Sequence, residues 1–333
     1  MIKILIIRCG ALGDLVYSTS VIEAMKLQFG DNTIIDFITT PIGKGLLIND
    51  KRVNKIFILK HKKIPIFLST IKKEIIKYSK QLHYDYLISL ESGKQFISLI
   101  KHIEAKHKIG MGLENISLPE NTNRAYLTKL YYKSILKDYF FEKAKPKIYG
   151  SNISKYNLES NFIVIAPSNS HNKKSGINYR SWRFDYWKEL IQKLSKEYNL
   201  VILGAKGEED FFNHIKPYPT NVTDLVGHLN IGELVSVVKN AKASICTDSA
   251  IGHISAAVNT PVFVLMGPNS TIVDIPFSTK ENKIIPISLH LACSPCYKTI
   301  RMKQCKNNIC MGNITPEMIL DTLQSHKIIK NIY

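Results

Sequence analysis

Five stretches of this sequence carry side chains whose types and spacing can do chemistry. The first is Arg8-Cys9-Gly10-Ala11-Leu12-Gly13-Asp14, a glycine-bearing turn after a short apolar run. A carboxylate there, Asp14, can accept a proton from a hydroxyl within hydrogen-bond reach. The same residue also suits the start of a helix, where it caps free amides and complements the dipole. The glycines stand at 10 and 13, so Gly-x-Gly-x-x-Gly is not present, and no well-placed acidic partner stands about 20 residues beyond. A nicotinamide-binding dehydrogenase is therefore disfavoured.

The second stretch, Cys246-Thr-Asp-Ser-Ala-Ile-Gly-His253, also turns from a strand into a helix. Amides at such a helix start bind phosphate, while Asp248 and Ser249 are equally good caps. A lone histidine such as His253 is more often a packed structural residue than a ligand. The third, residues 166–183, is a polar loop with Ser168, Asn169, Lys173, Lys174, Arg180 and Arg183. Its cations suit a diphosphate leaving group; a solvated charge run is the plainer alternative. The fourth, Leu203-Gly-Ala-Lys-Gly-Glu208-Glu209, offers two acids that can accept from ribose hydroxyls or offset a helix dipole. The fifth, Cys293-x-x-Cys296-x(8)-Cys305-x(4)-Cys310, matches a tetrahedral structural zinc or iron, or else a reduced structural loop.

These stretches fall just after strand-like runs, and the surrounding pattern explains why. β-Branched runs at 4–7, 34–38, 55–59 and 84–90 alternate with helical spacing at 15–29 and 64–82. Residues 138–160, rich in Lys, Tyr, Asn and Ser, read as an interdomain linker. The rhythm then restarts with strands at 162–166, 200–203, 243–247 and 261–265 and helices at 183–197, 208–216, 231–241, 249–258 and 315–328. Such alternation predicts an α/β protein of two doubly wound parallel halves. Ligands then belong at the carboxyl ends of the strands.

Composition narrows the partners. The 333 residues carry 45 Lys and Arg against 27 Asp and Glu, a net charge of +18. Fourteen of these cations lie between 51 and 108 against four acids, a net of +10 in the first half. Such a surplus attracts polyanions: nucleic acid, anionic lipid or phosphorylated small molecules. The basic amphipathic helix expected at 64–82 suits an anionic membrane surface, or is simply a solvated face. No basic stretch interleaved with aromatics marks a nucleic-acid module, so no nucleic acid is expected. Neither a secretory signal nor a membrane span is legible, which predicts a cytoplasmic protein, soluble or peripheral on the inner membrane face. The six Cys, four of them within 293–310, do not form a disulfide framework.

Taken in order, several segments resemble glycosyltransferase family 9, the bacterial heptosyltransferases of lipopolysaccharide core assembly. They are residues 4–14, Arg180-Ser-Trp182 with Trp187-Lys-Glu-Leu190, Asp224-Leu-Val-Gly227, Thr247-Asp-Ser-Ala-Ile-Gly-His253 with Ala256-Ala257 and Thr260-Pro261, and the 293–317 tail. The resemblance implies a GT-B fold, two Rossmann-like domains facing across a cleft. An acceptor-binding domain is expected over 1–145, a nucleotide-sugar domain over 160–312, and a C-terminal helix over 313–333 crossing back to the first domain. It implies an inverting transfer, with no cofactor required, from an ADP-heptose-like donor to a lipid-linked anionic glycan. By that pattern Asp14 is the general base. Arg180 meets the donor phosphates where the family usually has Lys, with Ser168 and Asn169 beside it. Glu208 or Glu209 holds the ribose, Leu229 lies near adenine, and Asp248, Ser249, Ala250, Ile251 and His253 line the sugar and diphosphate. Arg8, Lys62 and Lys63 are the expected acceptor contacts. The chain departs from the family at Asp-Ser-Ala-Ile-Gly-His, often Asp-Ser-Gly-Pro-Met-His, and at Thr19-Ser20, commonly Thr-Pro. A basic nucleic-acid-binding protein or a non-catalytic nucleotide-sugar binder is the alternative reading.

Overall fold

The computed structural model describes residues 1–171, 177–277 and 282–330. It divides into two compact units, Met1–Tyr149 and Gly150–Tyr333. In the first unit, β1 (Lys3–Ile7), β2 (Ile34–Thr39), β3 (Lys55–Ile58), β4 (Tyr84–Ser89) and β5 (Ala105–Gly110) form one sheet in the order β3-β2-β1-β4-β5. All four pairings are parallel. Parallel strands need helical crossovers, which cover both faces, so the central strand must be apolar throughout. β1 meets this demand. Ile4 and Ile6 join one core cluster with Val21, Ile22 and Met25, while Leu5 and Ile7 join another with Ile75, Leu99 and Ile100.

The second unit repeats the design. Its strands are β6 (Ile163–Ala166), β7 (Leu200–Ile202), β8 (Val222–Asp224), β9 (Ala243–Thr247), β10 (Val262–Leu265) and β11 (Ile284–Ile287). They run parallel in the order β11-β10-β9-β6-β7-β8. Trp182 and Trp187 meet edge to face with centroids 4.7 Å apart in the core, and the Trp182 indole donates to the Ile314 carbonyl.

In each sheet the strand order reverses beside the first strand. β1 pairs with β2 on one side and β4 on the other, and β6 with β7 and β9. Loops leaving those strands diverge to opposite faces, which opens a crevice at their carboxyl ends. The loops after β1 and β4, and after β6 and β9, are where chemistry belongs.

Several elements differ from the sequence expectation. The helix expected over 15–29 is two, Leu12–Ser18 and Ser20–Phe29. The Ser18 hydroxyl donates to the Asp14 carbonyl and the Thr19 hydroxyl to that of Val16; such back-bonding competes with the helical ladder and bends it. The helix expected from 64 begins at Thr70, because Pro65 and a single 3-10 turn, Ile66–Leu68, precede the capping Ser69. The stretch 138–160 is not wholly linker: it includes the helix Asp138–Lys143 with Phe141 fully buried. The helix expected to cross back over 313–333 packs in the second unit. Ile319, Leu320 and Leu323 of Pro316–Ser325 share a core with Trp187, Leu190 and Leu194. Lys193 pairs there with Glu189 at 2.7 Å and with Glu317.

Candidate active site

Asp14 lies in the first turn of Leu12–Ser18, just past the end of β1. Its carboxylate is 41% exposed and is held from one side only. Tyr17, one turn on, donates to Oδ1 at 2.7 Å, and Arg8 Nη2 lies 3.7 Å from the same oxygen. Arg8 also donates to the Tyr17 hydroxyl at 3.3 Å and to the Leu90 carbonyl. Glu91, two residues past β4, lies 3.7 Å from Arg8 Nη1 and accepts from the Cys9 amide at 2.7 Å. Gly10 leaves room for this arrangement: a Cβ there would sit 3.0 Å from Asp14 Cβ and 3.1 Å from Oδ2. The loops after β1 and β4 are thus tied together around one partly open carboxylate.

The local electrostatics keep the neighbours in fixed protonation states. Burial pushes the Tyr17 phenol well above its usual range; Arg8 opposes the rise and Asp14 adds to it. The phenol therefore stays a hydrogen-bond donor. Burial likewise raises the Cys9 thiol to about 12, with Glu91 adding to the effect, so Cys9 is not a nucleophile at neutral pH.

The cations expected at the acceptor fare differently. Arg8 is 8% exposed and engaged inside the protein, so it orients Asp14 and Glu91 instead of presenting a free surface charge. Lys62 is half-buried and donates to the Cys9 carbonyl. Lys63 is exposed.

In the second unit, Arg180 organises the loops after β6 and β9. Its Nη1 is 2.9 Å from Asp248 Oδ2, and its Nη2 donates to the Ser170 hydroxyl at 2.9 Å. The guanidinium lies 5.3 Å from the ring centre of Tyr297, whose hydroxyl is 2.9 Å from His171 Nε2. Asn169 is buried, and its Oδ1 accepts from the His171 amide and from Asn178 Nδ2. The Thr247 hydroxyl reaches the Pro167 and Ser168 carbonyls, tying β9 to the β6 loop. Among the described residues two buried donors, Arg180 Nε and Asn169 Nδ2, have no acceptor. An unmade bond of this kind costs about 1–3 kcal/mol. Two orphaned donors beside a cation suit an anion. Lys173 and Lys174 lie outside the described residues.

Asp248 does not cap the helix Ala250–Ala257, because its carboxylate is turned to Arg180; Ser249, in the N-cap position, makes no side-chain cap either. The helix therefore starts without a side-chain cap, and Ala250, Ile251 and His253 are half-buried in its first turn. Of the two acids after β7, Glu208 is buried, with Oε2 accepting from the Ser168 hydroxyl and the Ala205 amide at 2.8 Å each. It joins the β6 and β7 loops. Glu209 is exposed and accepts from the Gly207 amide. Leu229 is half-buried, directly before Asn230, which caps Ile231–Asn240 in a capping box with Glu233.

The metal centre expected at Cys293, Cys296, Cys305 and Cys310 is not assembled: among the described residues no group of three or more His, Cys, Asp or Glu is placed to hold a metal ion. Cys305 donates to the Asn307 carbonyl and Cys310 to the Asn308 side chain. Burial and the nearby thiols raise Cys310 to about 11. The segment packs against Arg180 and Tyr179. Its Cys296 and Tyr297 amides both bond the Pro268 carbonyl, which sets Tyr297 against Arg180. Asn308 Nδ2 and the Cys305 carbonyl clasp Tyr179 next to Arg180.

Sequence reasoning did not single out Tyr17, Glu91, Ser170 or Tyr297. Two of these had a usable signal. Tyr17 stands three residues from Asp14, the spacing of neighbours on one helix face. Glu91 directly follows the strand run at 84–90.

Two parallel doubly wound sheets, each with polar loops at its switch point, are the architecture of a two-unit α/β protein of the GT-B type. The profile of glycosyltransferase family 9 (heptosyltransferase) matches residues 123–307, over half of the chain, and the chain belongs to that family. It is a glycosyltransferase. The matched span contains every expected donor residue and does not include Asp14. The chain is 24% identical to lipopolysaccharide heptosyltransferase 3 of Escherichia coli over 297 residues, 80% of this chain and 84% of that one. Its fold matches the glycosyl transferase family 9 structure from Veillonella parvula with a TM-score of 0.79 at 14% identity, covering 97% and 96% of the two chains. It also matches the E. coli ADP-heptose lps heptosyltransferase II with a TM-score of 0.75 at 18% identity, covering 97% and 98%. These two likenesses establish the GT-B type of fold.

Proposed function

We propose that this protein moves a heptose from ADP-heptose to an anionic, lipid-linked glycan of the lipopolysaccharide core type, inverting the anomeric centre, at the cytoplasmic face of the membrane. The first unit takes the acceptor and the second the nucleotide sugar. The observation that carries this reading is that each sheet's switch point bears one half of the required chemistry. In the first unit it is a partly exposed carboxylate oriented by Tyr17 and Arg8. In the second it is the buried guanidinium of Arg180 and the Asn169 side chain, each with one donor unmatched among the described residues, near a helix start without a side-chain cap. The relatives' names supply the sugar class and the nucleotide.

The step is one displacement. The acceptor oxygen attacks the anomeric carbon, and its proton passes to Asp14. The bond from that carbon to the diphosphate oxygen breaks, and its electron pair leaves with ADP. Arg180, Asn169 and the 250–252 amides neutralise the charge gathering on the diphosphate; donors set before the reaction cost no reorganisation as it proceeds. Glu209 meets the ribose, with Glu208 and Ser168 holding the neighbouring loop in shape. Leu229 and residues 249–253 shape the space for base and sugar.

The test is release of ADP from ADP-heptose, and of UDP from UDP-sugars as a control, with a purified lipid-linked core acceptor. ADP release that depends on acceptor, and its loss in Asp14→Ala with nucleotide binding intact, is the expected result. Near-normal turnover by Asp14→Ala rejects the base, and turnover of UDP-sugars alone rejects the donor.

A further inference from the structure

The segment between β3 and the helix Thr70–Leu82 has an unusual surface. Phe67 is 70% exposed and Leu68 66%. Among the described residues they are the only two exposed large apolar side chains adjacent in sequence. Single exposed apolar residues are ordinary; a contiguous pair at the tip of a turn is a contact surface without its partner. The pair lies in the 3-10 turn Ile66–Leu68, after an exposed Pro65.

The charge around this tip is one-sided. Lys60 and Lys63 are exposed before it. On the following helix Lys73, Lys77 and Lys80 are exposed at spacings of four and three, and so share one face. Against these five cations the exposed surface of 60–81 offers one carboxylate, Glu74, which already pairs with Lys55 at 3.5 Å. The inner face of the helix is anchored by Ile75, Ser79 and the buried Lys72. The Lys72 ammonium donates to the carbonyls of Lys62 and Ile64 at 2.8 and 2.7 Å, which ties the loop down onto the helix. Lys62 in turn donates to the Cys9 carbonyl, in the turn that carries Asp14. The tip is therefore fixed to the body of the first unit and to the turn of the base.

We propose that residues 60–80 form a membrane-docking element: Phe67 and Leu68 enter the interfacial region of an anionic bilayer while Lys60, Lys63, Lys73, Lys77 and Lys80 meet lipid phosphates. An apolar wedge ringed by cations is the pattern of an interfacial anchor, and each lysine near an anionic surface adds about fivefold to partitioning. The inference rests on the reading of a lipid-linked acceptor. The Lys72–Lys62–Cys9 chain would then hold the carboxylate of Asp14 at a set place relative to the bilayer in which that acceptor is anchored.

The experiment uses the full chain with vesicles of phosphatidylcholine alone or mixed with phosphatidylglycerol. Wild type is expected to co-sediment with the mixed vesicles and to be released by high salt. F67S/L68S and K73A/K77A/K80A are each expected to lower partitioning at least tenfold. All of these residues are exposed, so melting temperatures should be unchanged. Turnover on a delipidated, water-soluble acceptor should stay at the wild-type level in both variants, while turnover on acceptor embedded in vesicles falls at least tenfold. Wild-type partitioning by F67S/L68S overturns the proposal. So does a wild-type dimer that F67S/L68S converts to monomer without changing vesicle binding, which would assign the surface to a second copy of the chain. Failure of wild type to glycosylate even the soluble acceptor is a failure of the functional reading, and vesicle partitioning still decides the docking element by itself.

Discussion

The Tyr17 hydroxyl donates to Oδ1 of Asp14 at 2.7 Å from within the same short helix, and Arg8 bridges the two from below. One carboxylate oxygen is thereby held. Removing that donor leaves the carboxylate with Arg8 alone and lets its side chain wander. Tyr17→Phe is expected to cut kcat about tenfold, a small part of a general base's contribution, with donor KM unchanged. A Phe variant with the wild-type kcat would remove Tyr17 from any role in orienting the base.

Arg180 and Asp248 form a buried pair at 2.9 Å. Deleting one member of such a pair leaves the other buried and uncompensated, at a cost of about 3–5 kcal/mol. Arg180→Ala should therefore lower both the melting temperature and ADP affinity. Adding Asp248→Asn should restore most of the stability without restoring ADP binding. Calorimetric titration and thermal unfolding of the single and double variants separate the two effects. Recovery of ADP affinity in the double variant would show that Arg180 acts only through folding.

Tyr297 lies over the Arg180 guanidinium and contacts His171. Tyr297→Leu should weaken ADP binding several-fold, in keeping with a cation–π contact worth about 1 kcal/mol, and leave the pH dependence of kcat untouched. Unaltered nucleotide affinity would confine Tyr297 to packing.

The thiols should differ sharply in reactivity. Cys293 is exposed, whereas Cys9 and Cys246 are buried and their pKa values are driven upward by burial. Thiolate, not thiol, reacts. A disulfide reagent at pH 8 is expected to modify Cys293 first and to reach Cys9 and Cys246 only on unfolding. Rapid labelling of Cys9 in the folded protein would contradict the packing around β1.

Lys129 is buried, and desolvation lowers its pKa from 10.5 to about 8 while its ammonium donates to the Ala144 carbonyl at 2.9 Å. Between pH 8 and 10.5 the unfolded chain holds this proton and the folded chain does not, so its contribution to stability rises with pH. The total rise is about 3 kcal/mol. Lys129→Met should lose that rise. Denaturant unfolding of wild type and variant at pH 8 and pH 10.5 measures the difference directly.

Much of the architecture is legible in the sequence because parallel strands buried on both faces must be continuous apolar runs. Ile4–Ile7, Ile34–Ile38 and Ile163–Ala166 announce themselves in that way. β5, β8 and β11 do not. β5 reads Ala-Lys-His-Lys-Ile-Gly and lies at a sheet edge, where one side is open and polar residues are tolerated. The loops of the candidate site were legible for the same topological reason: Asp14, Ser168, Asn169 and Asp248 all come directly after runs that only a central strand explains.

The sequence by itself determined the two parallel halves, the strand ends at which chemistry gathers and the excess of positive charge, because each of these is local along the chain. Only the tertiary structure decided which charges are free. Arg8, Lys62, Arg180 and Glu208 read alike as ligand contacts in one dimension, yet Arg8, Lys62 and Glu208 are engaged with backbone or side chains of their own unit. Arg180 is paired with a carboxylate 68 residues away while still carrying an unmatched donor. A side chain's partners are set by which loops the sheet order brings together, and residue spacing carries no record of that.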